Sequence, residues 1–159
     1  MKVFRIIFTS LLIFWMILIF SLSAENADSS SQTSGETIKF IINIFYPSFD
    51  TLDSTQQTAM VESLQFIVRK TAHFTLYAIL GFLSFLSFIT YKSLSLKKRI
   101  FIISSVCFLY SLSDEFHQLF IPGRSGELRD VLIDFSGSML AILILTFISN
   151  KTKLKKYIL

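Results

Sequence analysis

The sequence predicts an all-α polytopic membrane protein, four transmembrane helices in a single domain over residues 1–159, with both termini cytoplasmic. Three observations carry this expectation. First, 52% of the 159 residues are hydrophobic, only 16% are charged, and the mean hydropathy is +0.62. A soluble core of this size cannot hide that much apolar surface. Second, several apolar runs approach the roughly 18–20 residues that cross a bilayer. Third, the charges are partitioned between the two sides of those runs. Cys107, the single cysteine, lies inside an apolar run, which excludes an intrachain disulfide framework, gives no sign of a metal cluster and reads as plain packing.

The first helix is expected over about 3–22, with Lys2 and Arg5 at its start. Ser21-Leu22-Ser23-Ala24 resembles a signal-peptidase site, but the apolar stretch outruns the usual 7–15 residues of a signal region, so a retained helix is expected. An extracytoplasmic loop over about 23–68 follows. Its Ser-rich part, Ala24 to Glu36, reads as a flexible linker. Ile38 to Tyr46 is apolar but too short to span, which suits an interfacial or re-entrant segment ended by Pro47. Asp53 or Ser54 is placed to cap a further helix, with Met60, Leu64, Ile67 and Val68 as its packing stripe. The second, third and fourth transmembrane helices are expected over about 69–90, 100–120 and 130–148. Helices are required because a segment in lipid must satisfy its own backbone hydrogen bonds.

Orientation follows from Lys and Arg placement. With the N-terminus in the cytoplasm, that side holds Lys2, Arg5, Lys92, Lys97, Lys98, Arg99, Lys151, Lys153, Lys155 and Lys156, and no acid. All eleven acids fall on the other half. The net charge of +4 is therefore explained by anionic inner-leaflet lipid, and no nucleic acid partner is needed.

Polar side chains occur where lipid should forbid them. Arg69, His73 and Tyr77 form one helical stripe, with Lys70 beside it. Asp114 and Gln118 share a face, with Glu115 adjacent, and Asp130, Asp134 and Ser138 share another. At a rise of about 1.5 Å per residue, His73 lies about 6 Å inside Arg69 and Asp134 about 6 Å inside Asp130. Asp114 lies about 21 Å from Ile100, so about 9 Å short of a roughly 30 Å core. Ionisable groups from three helices thus fall in one layer, where a charge costs about 2.5–3.5 kcal/mol to insert unless it faces a wet or paired interior. A shared pocket open to the outer face is expected. Pro122-Gly123 turns the chain above it and leaves Arg124 free to meet the carboxylates or an anion. Plainer roles exist for each group: interfacial anchors for Arg69, Lys70 and Tyr77, a packing histidine at His73, and an ion-pair network at Asp114 and Glu115. His117 lies off the shared face and reads as structural. Convergence at one depth favours function.

The stretch Arg69-Lys70-x-x-His73-Phe74-x-x-Tyr77-x-x-Leu80-Gly81 resembles the first signature of the VanZ-like membrane protein family. Asp114-Glu115-x-x-Gln118-x-Phe120-x-Pro122-Gly123-Arg124, then Asp130-x-x-x-Asp134-x-x-Gly137, resembles the second. Many relatives carry Asn at the position of Asp134. The resemblance covers nearly the whole chain and implies a multi-pass protein of the bacterial cell membrane. The family's namesake is associated with resistance to the glycopeptide teicoplanin.

Three function classes follow. The first is binding of an outer-leaflet lipid or lipid-linked cell-wall precursor, with modulation of glycopeptide susceptibility. Its binding residues would be Arg69, Lys70, His73, Tyr77, Asp114, Glu115, Gln118, Arg124, Asp130 and Asp134, with Arg129 a further phosphate contact. The second is a membrane-embedded enzyme acting on a lipid phosphate or acyl group, with His73 and Glu115 as acid and base and Asp114 a further candidate. The third is lipid transport or flipping by an oligomer. Membrane lipids are the expected partners, with a homo-oligomer allowed. The favoured reading is not enzymatic and has no cofactor and no metal, although a carboxylate-rich pocket beside His73 also suits Mg²⁺.

Overall fold

The computed structural model describes residues 2–88 and 93–151, and these form five α-helices and one 3₁₀ turn with no strand among them. α1 runs Lys2–Ser23, α2 Ala27–Phe45, α3 Ser54–Phe88, α4 Leu96–Gln118 and α5 Leu128–Lys151, with a 3₁₀ turn at Pro47–Thr51. The expected helix end near residue 90, together with Lys92, Lys153, Lys155 and Lys156, lies outside the described residues.

α1, α3 and α5 are long and apolar enough to cross a membrane. α4 has 23 residues, enough for a span, but carries Lys97, Lys98 and Arg99 at one end and Asp114 and Glu115 near the other. Composition therefore marks three crossings where the sequence reading expects four.

The segment over 23–68 corrects the loop expectation. Residues 27–45 form one helix, not a linker followed by an interfacial segment. The Asn26 side chain caps it by accepting from the Ser29 amide at 2.8 Å. Serine propensity is overridden by packing. Ile38 and Ile42 bury against Phe49 of the 3₁₀ turn and Val61 of α3, and Gln65 Nε2 donates to the Ser31 carbonyl at 2.9 Å. Pro47 ends α2 as expected by opening the 3₁₀ turn, and Asp53 Oδ1 caps α3 through the Gln56 amide at 2.9 Å. Of the expected stripe, Met60, Leu64 and Val68 pack against this cluster, while Ile67 faces outward. α3 then continues without a break, so the anticipated second helix is the latter part of a 35-residue rod.

The main core lies between α1, α3, α4 and α5. Leu12, Ile19, Tyr77, Leu80, Leu83, Phe85, Ile103, Cys107 and Ile142 form it. Trp15 Nε1 donates to the Leu76 carbonyl at 2.9 Å, and the Tyr110 hydroxyl donates to the Met16 carbonyl at 2.5 Å. Outward faces are apolar as well: Phe14, Ile17, Leu132, Leu143 and Phe147 are all exposed. An apolar exterior around an apolar core suits lipid as the surrounding solvent. α3 and α5 approach most closely at Gly81 and Gly137. A Cβ at Gly81 would collide with the Ser138 backbone, and one at Gly137 with the Phe74 carbonyl. Small residues allow this backbone contact, and it sets the register of the polar site.

Candidate functional site

Three rungs join α3 to α5. Lys70 pairs with Asp130. His73 Nδ1 stands 3.5 Å from Asp134 Oδ2. Ser138 Oγ donates to the Tyr77 carbonyl at 2.9 Å. The rungs follow the helical repeat, so the Gly81 and Gly137 contacts that fix register also align the charges. α4 supplies Asp114, which lies with its carboxylate near both His73 and Asp134. Ligand atoms of the three residues all fall within 4.8 Å of one another. α1 reaches the same point: Ser23 Oγ donates to Asp114 Oδ2 at 2.8 Å. Gln118 Nε2 lies 3.5 Å from the same oxygen.

Above this cluster opens a cavity of about 230 Å³. Arg69, Lys70, His73, Gln118, Arg124 and Asp130 line it, six of the residues chosen from sequence. Tyr77, Asp114 and Asp134 do not line the cavity. Each sits one helical turn deeper than a residue that does. The turn over the cavity has the expected form. The Arg124 amide donates to the Ile121 carbonyl at 3.1 Å, with Pro122 second and Gly123 third at φ 75°, as a type II turn demands. Gly123 lies against Ala27, whose amide donates to the Pro122 carbonyl at 3.2 Å. Arg124 Nε donates to the Glu25 carbonyl at 3.2 Å. The strand of chain between α1 and α2 thus braces the turn.

The cations are not equivalent. Lys70 is matched by Asp130 and Arg129 by Glu127, both also over the Phe66 ring. Among the described residues, neither Arg69 nor Arg124 has a carboxylate at ion-pair distance. Burial pushes the Arg124 guanidinium below its usual value, and the charge of Arg69 pushes it further. A site that crowds two unpaired guanidiniums together favours an anion between them.

Glu115 sits elsewhere. Its Oε2 accepts the Glu127 amide at 2.9 Å, so it tethers the approach to α5, and it lines a separate apolar groove with Leu112 and Phe116. His117 stacks on Phe20 with centroids 4.3 Å apart, a packing role. Cys107 is fully buried, with Sγ 3.8 Å from Ser84 Oγ. Sequence reading missed Ser23, Phe66, Ala27 and Ser125. Phe66 carried a signal, one turn before Arg69 and Lys70. Ser23 carried none, because only the fold brings the end of α1 to Asp114.

A family model described as VanZ/LLP1 matches residues 8–149. The chain belongs to the VanZ/LLP1 family. The resemblance seen in the two motifs is borne out, and the match takes in the cluster, the cavity and the turn together. No curated protein and no solved structure matches the chain. This VanZ-like membrane protein therefore draws its functional reading from its own geometry.

Proposed function

We propose that this VanZ-like protein binds the phosphate of an outer-leaflet lipid or lipid-linked cell-wall precursor in the cavity beneath the Pro122-Gly123 turn. One observation carries this reading: Arg69 and Arg124 both line the cavity, and neither has a carboxylate partner among the described residues. Two guanidiniums present paired donors that match phosphate oxygens. Lys70 and Arg129 contribute field, being already matched. In this reading α4 is a fourth crossing, because it packs against both α3 and α5 along the core they share with α1. The termini are cytoplasmic and the cavity faces outward, in keeping with the one-sided Lys and Arg distribution. A lipid held there changes how a teicoplanin-type glycopeptide, which carries an acyl tail, meets the membrane.

Mass spectrometry of co-purified lipids tests the reading. The wild type is expected to retain a phosphate-bearing lipid that Arg69→Ala and Arg124→Ala lose. Equal lipid content in all three proteins would refute it. The susceptibility effect is tested separately, by comparing teicoplanin inhibition in a deletion strain carrying wild type or Arg124→Ala. The enzymatic alternative keeps His73 at the cavity, but its acidic neighbour there is Asp134, since Glu115 is held by the Glu127 amide.

A further inference from the structure

We infer that His73, Asp114 and Asp134 form a binding site for a divalent transition-metal ion at the floor of the cavity. The three side chains come from three helices, and one ligand atom of each lies within 4.8 Å of the others. Zinc holds nitrogen and oxygen ligands at about 2.0–2.2 Å, which puts neighbouring ligand atoms of a tetrahedral set roughly 3.3–3.5 Å apart. His73 Nδ1 and Asp134 Oδ2 are 3.5 Å apart already. Bringing Asp114 to the same spacing takes a shift on the scale of a side-chain rotation.

Two side chains ask for a ligand there. Asp134 is 1% exposed, its one polar neighbour within 3.5 Å among the described ion pairs is His73, and neither carboxylate oxygen makes a hydrogen bond of good geometry. Tyr77 is fully buried, and its hydroxyl stands beside Asp114 and Asp134 without a hydrogen bond of good geometry. Buried polar atoms are otherwise nearly always well paired, and a buried carboxylate with a single long contact is expensive to hold. One cation at the centre satisfies Asp134 and offsets both carboxylate charges.

The donor set selects the ion. An imidazole with two carboxylates suits zinc, manganese or iron, whereas calcium and magnesium prefer shells made of oxygen. The outer contacts are of the kind that orient metal ligands: Ser23 Oγ donates to Asp114 at 2.8 Å, and Gln118 stands behind it. Three protein ligands leave a coordination position. His73 borders both cluster and cavity, so a position open on the cavity side would look onto Arg69 and Arg124. A phosphate oxygen filling it would join metal and guanidiniums on one ligand, a step that rests on the function proposed above. The metal site itself does not.

Metal alone is therefore the probe. Full-length protein, purified in detergent without chelator, is expected to carry stoichiometric metal by mass spectrometry. After metal removal, added Co²⁺ should give a visible absorption band that Zn²⁺ displaces. His73→Ala and Asp134→Ala should weaken Co²⁺ binding by at least about 100-fold, beyond what losing an outer contact does. Asp134→Asn, which keeps an oxygen but loses the charge, should fall between. Glu127→Gln should bind as wild type does. No metal and no Co²⁺ band in wild type, which needs no variant to fold, would overturn the proposal. Binding unchanged in His73→Ala would overturn it too. Arg124→Ala separates the two ideas: it should keep the metal and lose the lipid. Metal retained by a wild type that holds no lipid refutes only the lipid reading.

Discussion

Arg124 and Arg129 lie five positions apart and illustrate how partners, rather than residue type, decide a role. Arg129 is exposed and already faces Glu127 at 3.2 Å. Arg124 is half-buried, braced by the Glu25 carbonyl, and unmatched. Hydrogen bonds to charged groups contribute about 1.5–3 kcal/mol, so Arg124→Ala should weaken binding of anionic-phospholipid vesicles by at least about tenfold. Arg129→Ala should change it by less than about threefold, as expected for an exposed pair. Sedimentation with vesicles of matched charge measures both, and equal losses would assign the effect to net charge alone. At this scale much of the site was legible. The i, i+4 spacing of Arg69, His73 and Tyr77, and of Asp130, Asp134 and Ser138, puts each set on one face by geometry alone. Glu115 was not legible. Its neighbour Asp114 turns inward, and one residue along a helix rotates the side chain by about 100°, toward the α5 approach instead of the cavity.

At the scale of elements, the α3–α5 contact holds the site together, and its glycines should be intolerant. A Cβ at Gly137 lands on the Phe74 carbonyl, so Gly137→Ala must push the helices apart at the His73–Asp134 rung. A destabilisation of about 2–3 kcal/mol is expected, read as an earlier thermal transition in detergent. Gly35 gives the contrast. A Cβ there meets only Val61 Cγ1 at 3.8 Å, so Gly35→Ala should be neutral or stabilising by up to about 1 kcal/mol. Similar effects at both positions would remove the argument for close approach. The sequence motifs contain Gly81 and Gly137, but periodicity does not say which backbone they meet. α2 failed to show for a different reason. Its run of Ser and Thr with Gly35 has poor helix propensity, and the compensating contacts with Val61 and Gln65 are long-range. Likewise, the charges at 69 and 70 looked like a helix boundary because they mark where lipid begins, while the backbone of α3 runs straight through.

For the whole molecule, the helical class and three of the four expected spans were legible as helices apolar enough to cross, because lipid leaves so few solutions to the backbone. The end-to-end sorting of charge was legible too. The described helices place Lys2, Lys97, Lys98, Arg99 and Lys151 at helix ends away from the cluster, Asp114 and Asp134 within it, and Asp130 at the cavity one turn above. The proposed orientation, with cytoplasmic termini, then makes a definite prediction. Ser125, exposed in the turn over the cavity, should label from outside as Ser125→Cys in a Cys107→Ala background. Labelling that needs permeabilised membranes would reverse the orientation and turn the cavity toward the cytoplasm.

α3 has a mechanical consequence. Its 35 residues span about 52 Å at a rise of about 1.5 Å each, while the hydrocarbon core takes only about 30 Å. The surplus stands beyond Arg69 and carries α2 strapped to its side. His73 and Arg69 therefore sit near the fulcrum of a rigid lever whose outer arm projects past the lipid. Anything that grips that arm, or any load leaning on it, tilts the inner arm against α5. The Lys70–Asp130 and His73–Asp134 rungs are where that torque is felt first.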